Sequence, residues 1–379
     1  MRERISDTAS HRPLLVVLIV ALILAIVGGV LFSVHRFNQS EEIRLNSSPD
    51  TKEMDFELDP GVSYAHAVVG EKLFFYSSEN IKIANRDGHK EQDFSLPVSQ
   101  PFLTSRGDFA LIADKDAKRA YLFHNGKQKT EINLSEPIIA ENVNTRGDSV
   151  FVTKGESHQN TVSVFDAGGN EKFRWNSGGM YVLAADISDN GRDVAVSAMR
   201  TDTGVITTHF LMFSVDKTEA FANDIYADEL FSAVHFKGNS IYCIGESKTY
   251  IYNGGGKLTG TIDYAERELL SYNTDGNALL LVFSGSGLSI GACDMETYNA
   301  KGERLAQFHS QHEIAFLSAY GNRILAKNGR VLSVFDIGLT EQFRLSPDMD
   351  LLDFMFYGNE SRGVGISAAG ARIISVNAE

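Results

Sequence analysis

The chain has 379 residues, of which 43% are hydrophobic and 22% are charged, so it can build a folded core and lacks the composition of a disordered protein. Its formal net charge is -14, and nearly all of that charge follows residue 34, because Arg2, Arg4 and Arg12 outnumber Glu3 and Asp7 before it. An acidic surface repels phosphate backbones, and no stripe of Lys and Arg interrupts it. The composition therefore argues against binding of DNA or RNA.

The first element is an apolar segment at residues 14–34, which reads LLVVLIVALILAIVGGVLFSV. It holds 21 residues without a charge, and as an α-helix it spans about 31 Å, which matches the hydrocarbon core of a bilayer. A cleaved signal peptide is the alternative, but the run is longer than usual and no small-residue cleavage site precedes His35 and Arg36. The sequence predicts one uncleaved transmembrane helix, with the lipid bilayer as its partner.

The charges that flank this segment predict its orientation. Three Arg residues precede it, whereas Arg36 is followed by Glu41 and Glu42. Positive charge favours the cytoplasmic side, so residues 1–13 are predicted to be a cytoplasmic tail and the large domain to lie outside the cytoplasm. The polar residues 35–52 fit a spacer between membrane and domain.

Beyond the spacer, short apolar runs and glycine turns repeat eight times. The first turn of each unit centres on Gly70, Gly107, Gly147, Gly191, Gly238, Gly276, Gly321 and Gly358. The spacing of roughly 40 residues fits four short strands and their turns, which is one propeller blade. No later stretch shows a long helical period. The sequence predicts an all-β, eight-bladed β-propeller at residues 53–379, with seven blades as the alternative.

The last repeat ends too early to hold a fourth strand. Residues 53–58, EMDFEL, resemble the fourth runs EQDFSL at 91–96 and EQFRLS at 341–346. We therefore expect the strand 53–58 to complete the last blade and close the ring, which would remove an open sheet edge.

The turns Ser188-Asp189-Asn190-Gly191 and Asn273-Thr274-Asp275-Gly276, each followed by an apolar strand, resemble WD40-like and quinoprotein-like bacterial repeats. The Gly-His and Trp-Asp signatures of WD40 blades are missing, and Trp175 is the single Trp, so the repeated Trp of quinoprotein blades is missing too. As a whole, the chain resembles an uncharacterised family of bacterial single-span, membrane-anchored propeller proteins. It is also similar to the eight-bladed scaffold of the outer-membrane β-barrel assembly machinery, without the lipid-attachment Cys.

Four polar residues on first strands are candidates for a channel site. First strands line the centre of a propeller, so His66, Asp186, His235 and Tyr272 are expected to converge there from different blades. The alternative is that each is separately hydrogen-bonded or exposed. No catalytic, cofactor-binding or metal-binding motif accompanies them, so no cofactor is predicted.

Two other features have structural interpretations. Residues 106–108 and 146–148 both read Arg-Gly-Asp, and their shared place in consecutive repeats predicts turns whose polar residues face solvent. Cys243 and Cys293 lie in apolar runs and are predicted to be buried free thiols.

A rigid ring, an anchor and repeats without shared chemical residues favour a non-enzymatic interaction or scaffold module of the bacterial cell envelope. A sugar- or small-ligand-binding sensor that uses the channel mouth is the alternative. A propeller hydrolase or lyase comes last, because no acid-base motif is present.

Overall fold

The computed structural model describes residues 49–59, 62, 64–77, 80–202, 204–227, 229–285 and 291–377. The chain divides into two compact units, Met1–Leu45 and Asn46–Glu379, and only the second contains described residues. The predicted tail 1–13, the predicted membrane helix 14–34 and most of the spacer 35–52 lie outside them. Among the described residues, no helix has the length and apolar composition needed to cross a bilayer.

The described residues form eight four-stranded antiparallel sheets, which confirms the all-β, eight-bladed propeller. Each sheet, or blade, runs from an inner to an outer strand. Blades 1 to 4 comprise β2 (Ala65–Val69), β3 (Lys72–Tyr76), β4 (Asn80–Asn85) and β5 (Lys90–Ser95); β6 (Pro101–Arg106), β7 (Phe109–Asp114), β8 (Arg119–His124) and β9 (Lys127–Asn133); β10 (Ile138–Val143), β11 (Ser149–Lys154), β12 (Asn160–Phe165) and β13 (Glu171–Asn176); and β14 (Tyr181–Ile187), β15 (Asp193–Asp202), β16 (Val205–Ser214) and β17 (Ala222–Ala227).

The second half of the ring follows the same plan, except that its last blade takes one strand from the start of the domain. Blades 5 to 8 comprise β18 (Phe231–Lys237), β19 (Ser240–Gly245), β20 (Lys248–Asn253) and β21 (Leu258–Asp263); β22 (Leu269–Asn273), β23 (Leu279–Ser284), β24 (Cys293–Tyr298) and β25 (Arg304–Ser310); β26 (Phe316–Tyr320), β27 (Arg323–Asn328), β28 (Val331–Asp336) and β29 (Glu341–Leu345); and β30 (Leu351–Phe356), β31 (Arg362–Ser367), β32 (Gly370–Ser375) and β1 (Thr51–Glu53).

The strand that closes the ring lies upstream of the predicted residues 53–58. β1 pairs antiparallel with β32, with Thr51 opposite Ile374 and Glu53 opposite Arg372. The Arg372 guanidinium also bonds the Glu53 carboxylate at 2.9 Å, which adds a side-chain contact to this short pairing. The expected strand and the observed one share only Glu53.

Residues 54–58 cross from the last blade to the first instead of forming a strand. Met54, Phe56 and Leu58 pack against the apolar cluster between blades 8 and 1, with the Phe56 and Phe75 rings 5.8 Å apart. The Asp55 carboxylate accepts a hydrogen bond from the backbone N–H of Lys90 at 2.7 Å. The alternation that suggested a strand therefore reflects one buried side of an irregular segment.

The hydrophobic core is divided into eight clusters, and each lies between two neighbouring blades. Middle strands are consequently buried on both faces, as in β12, where every residue is buried. This explains the near-continuous apolar runs of the sequence. Cys243 and Cys293 are buried free thiols within two of these clusters, as predicted.

The inner turns hold neighbouring blades together. Gly147, in the first turn of blade 3, has a φ of +80°, which side chains rarely adopt. A Cβ atom added there would lie 2.5 Å from the Phe109 ring of blade 2, so the turn also needs the small residue for packing. Of the eight predicted turn glycines, seven have positive φ, and Gly276 is the exception.

Candidate ligand site in the central channel

The inner strands of the eight blades form the wall of the central channel. Their side chains are less buried than those of the middle strands, and in β6 every residue is partly exposed. Residues from blades 2, 3, 5 and 6 line an open cavity of about 450 Å³. Its lining residues are Thr104, Ser105, Arg106, Glu141, Asn142, His235, Tyr272, Asn273, Thr274 and Asp275.

Two of the four predicted channel residues meet in this cavity. The His235 Nε2 atom lies 3.1 Å from the Tyr272 hydroxyl, and the two rings are 5.7 Å apart. Burial, helped by the nearby charge of Arg106, lowers the pKa of His235 to about 4. His235 is therefore neutral near pH 7, where an ordinary histidine is partly protonated.

His66 lines a second cavity of about 510 Å³, which shares Ser105, Arg106 and Asp275 with the first. Its Nε2 atom lies 2.8 Å from the carboxylate of Asp353 on blade 8. His66 therefore belongs to the same channel, but its own partner is an acid from a neighbouring blade and not His235 or Tyr272.

Asp186 is buried in the channel wall, which differs from the predicted convergence. Its two carboxylate oxygens accept hydrogen bonds from the backbone N–H groups of Ile187 at 2.8 Å and Phe236 at 2.7 Å. Burial raises its pKa to about 6, opposed by the charge of Arg106. Asp186 lines neither channel cavity and instead fixes the backbone beside His235.

Arg106 is a channel residue that sequence reasoning missed. It opens the first Arg-Gly-Asp turn, whose polar residues were expected to face solvent, yet its Nη1 donates to the backbone carbonyl of Phe236 at 3.0 Å. Blades 2 and 5 are thus joined through the channel. The carbonyl of Phe236 accepts this bond from Arg106, and its N–H donates to Asp186, so both backbone polar groups of Phe236 are fixed.

Glu141 is the second residue that was missed. Its Oε1 accepts a hydrogen bond from the Thr104 hydroxyl at 2.6 Å, whereas its Oε2 is buried and has no hydrogen-bond partner among the described residues. Burial raises the pKa of this carboxyl to about 8. In the sequence, Glu141 is a single acidic residue at the end of the apolar run IIAE at 138–141. No motif distinguishes it from a solvent-exposed residue.

Two channel groups with shifted pKa values, His235 and Glu141, are each paired with a hydroxyl group. General acid–base catalysis needs a proton donor or acceptor with a pKa near the working pH, held against a reacting group and oriented by a third residue. His235 faces a tyrosine hydroxyl, and Glu141 faces a threonine hydroxyl. In the described part of the chain, no three His, Cys, Asp or Glu residues gather as metal ligands.

Solved structures with the same fold are distant in sequence. BamB from Moraxella catarrhalis shares 13% identity with a TM-score of 0.55, covering 86% of this chain and 100% of that one. The C-terminal WD40 domain of Sif2 shares 12% identity with a TM-score of 0.60, covering 88% and 100%. At such identities the likeness shows the fold alone, which supports the expected WD40-like repeats.

No curated protein sequence matches the chain. A family described as a family of unknown function, DUF5711, matches residues 48–376, which include every described strand. The chain therefore belongs to the DUF5711 family, whose fold is here an eight-bladed β-propeller.

Proposed function

We propose that the protein is a non-enzymatic interaction or scaffold module of the bacterial cell envelope. In this proposal residues 14–34 hold it in the membrane, and the propeller lies outside the cytoplasm. The apolar run and the Arg residues before it support the anchor and its orientation. The observation that carries the interaction role is an exposed hairpin on blade 4.

The hairpin projects beyond its own sheet. β15 and β16 each have 10 residues, whereas the other strands have seven or fewer. The inner neighbour β14 begins at Tyr181, opposite Met199, and the outer neighbour β17 ends at Ala227, opposite Thr207. Residues 200–202 and 204–206, which we call the blade 4 hairpin, therefore extend past both flanking strands.

Apolar side chains are exposed on both faces of this region. Val205 is 51% exposed and Ile225 59%, and the register places them on one face. Tyr181 is 49% exposed and Ile206 46%, and they lie on the other face. A projecting strand pair with apolar side chains promotes association, so in a soluble ring it fits a surface that another protein covers.

Hairpin-dependent capture tests the interaction role. The full-length chain is purified from its own membranes in several mild detergents, beside the double variant Val205→Ser, Ile206→Ser. A matched control is Leu305→Ser, which changes an apolar side chain of 48% exposure on blade 6. We expect a co-purifying protein that the double variant loses and the control keeps. Recovery of the bait alone from every detergent, or a partner retained by the double variant, would contradict the role.

Labelling of an introduced thiol tests the location separately. Lys257 is exposed on blade 5, whereas the native Cys243 and Cys293 are buried. In intact cells, a membrane-impermeant maleimide should label Lys257→Cys and leave the parent chain unlabelled. Labelling that requires cell lysis would place the propeller inside the cytoplasm and overturn the proposed orientation.

A further inference from the structure

We propose that the channel cavity between blades 2, 3, 5 and 6 binds a small neutral polyhydroxylated ligand, a monosaccharide or disaccharide, through Glu141 and Arg106. This site is separate from the blade 4 hairpin and does not depend on the interaction role.

Every residue that lines the cavity carries a polar side chain. Ordinary small-molecule sites have similar volumes, about 300–1,000 Å³, but are lined mainly by apolar side chains. Here, seven of the lining residues are neutral hydrogen-bonding residues, and the other three are Glu141, Arg106 and Asp275. A ligand with a hydroxyl on nearly every carbon matches such a lining, because it can donate and accept around its whole perimeter.

An unused hydrogen-bonding group lies within this lining. Glu141 Oε2 is buried without a partner among the described residues, although buried polar atoms are almost always paired. Its companion Oε1 is held by Thr104, so the carboxyl group has a fixed orientation. A ligand hydroxyl placed against Oε2 would complete its hydrogen bonding.

The charges favour a neutral ligand over an anion or a cation. The guanidinium of Arg106 and the carboxylate of Asp275 offset each other in the lining. The raised pKa of Glu141 leaves its carboxyl mostly protonated near pH 7, so it can both donate and accept without a charge. An ammonium ligand would find a charged partner in Glu141 only if that carboxyl first lost its proton to solvent, and an anion would lie beside Asp275.

The other binding groups are already fixed in place. Arg106 is held by the carbonyl of Phe236, whose N–H is fixed in turn by Asp186. Tyr272 is held by His235. Groups that are ordered before binding lose little freedom when the ligand arrives, which favours affinity in a small site.

Calorimetric titration of the full-length chain tests the site. The chain is kept in dodecyl-dimethylamine oxide, because common maltoside and glucoside detergents carry sugar headgroups. The probes are glucose, galactose, mannose, N-acetylglucosamine, maltose and cellobiose, with ethanolamine and inorganic phosphate as a cation and an anion. We expect at least one sugar to bind and neither charged probe to do so. Binding of no sugar, or of a charged probe alone, would overturn the proposal.

Variants then locate the bound sugar. Glu141→Leu removes both oxygens and should weaken binding about tenfold or more, whereas Glu141→Gln keeps hydrogen-bonding capacity and should weaken it less. Glu131→Leu, at an exposed position of β9, is the matched control and should bind as the parent does. If Glu141→Leu fails to fold, Arg106→Gln carries the same expectation. Parental affinity in a folded Glu141→Leu or Arg106→Gln variant would overturn the assignment of the site.

Discussion

Two glutamates, one fully buried within a blade and one partly buried in the channel wall, have opposite environments. Glu296 on β24 of blade 6 is fully buried, and its carboxylate contacts Arg267 at 2.7 Å, Arg304 at 3.3 Å and the Tyr298 hydroxyl. Burial alone would raise its pKa, but these partners hold the pKa below its ordinary value. Glu141 has one hydroxyl partner, and its pKa rises to about 8.

The difference in hydrogen-bond partners separates a polar group that stabilises the fold from one that is available to bind a ligand. Inside the blade, ion pairs and hydrogen bonds satisfy the buried charge, so nothing remains for a ligand to bind. In the channel, one carboxyl oxygen of Glu141 has no partner in the described part of the chain, while its neighbours are fixed. Glu296 is the more deeply buried of the two, yet Glu141 has the raised pKa, so the difference follows from the hydrogen-bond partners.

Replacing Glu296, whose buried charge is paired, should have the largest effect on the free energy of unfolding. Glu296→Gln keeps the side-chain volume but removes the nearer counter-charge of Arg267, of which only 19% is exposed, and leaves it the more distant carboxylate of Asp294 at 3.8 Å. We expect the free energy of unfolding to fall by about 3 kcal/mol, since breaking a buried ion pair costs more than forming it gains. Urea denaturation measures the loss. Glu131→Gln on the exposed β9 should change it by less than about 0.5 kcal/mol, and an equally small change in Glu296→Gln would contradict the buried ion pair.

Disturbing the contact between Gly147 of blade 3 and Phe109 of blade 2 should destabilise the fold to an intermediate extent, and no charged group is involved. Gly147→Ala would introduce a Cβ 2.5 Å from Phe109 at a φ of +80°, so we expect about 2 kcal/mol of destabilisation from strain and displacement. Gly178 has a φ of +61° with no atom within 4 Å of its added Cβ. Gly178→Ala isolates the backbone strain and should cost about 1 kcal/mol. Thermal unfolding compares them, and equal losses would mean that Phe109 adapts freely.

The open carboxyl should show the smallest effect and a distinctive pH dependence. The pKa of Glu141 is about 8 when folded, against an ordinary value of 4.5, so the folded state holds this proton more tightly. Its stabilising contribution is therefore complete below pH 4.5 and is lost as the pH rises through about 8. Glu141→Gln cannot ionise, and at about pH 9 it should be more stable than the parent by roughly 1 kcal/mol, after allowance for partial exposure.

Unfolding measured across this pH range, with Glu131→Gln as control, decides the last prediction. Parallel pH profiles of Glu141→Gln and the parent would mean that Glu141 ionises as an ordinary surface carboxyl. Because Glu296 has a lowered pKa, its contribution has the opposite sign: it is present above the ordinary value and is lost as the pH falls through the lower folded pKa.

The blades could be predicted from the sequence because each repeats the same turns and apolar runs. The predicted closing strand, 53–58, begins two residues after the observed one. The alternation of Met54, Phe56 and Leu58 comes from burial on one side of an irregular segment and not from sheet pairing. Alternation identifies which side of a segment is buried, but an irregular segment on a cluster and a strand in a sheet can produce the same pattern.

The channel was harder to predict than the ring. His66, His235 and Tyr272 do line it, but Asp186 turns into the wall, where its carboxylate accepts hydrogen bonds from the backbone N–H groups of Ile187 and Phe236. Phe236 lies 50 residues further along the chain, so the repeat pattern does not reveal this contact. Arg106 contacts a residue 130 positions away, a relation that local patterns do not contain.

The closing strand also imposes an order on biosynthesis. β1 at Thr51–Glu53 can pair only with β32 at Gly370–Ser375, so it waits unpaired while nearly the entire propeller is translated. Ring closure is therefore the last pairing available to the nascent chain, and it joins residues of very large sequence separation. A ribosome that stops between residues 346 and 370 would release seven complete blades, an unfinished eighth blade and an unpaired β1, which is a form that protease or chaperone surveillance can recognise.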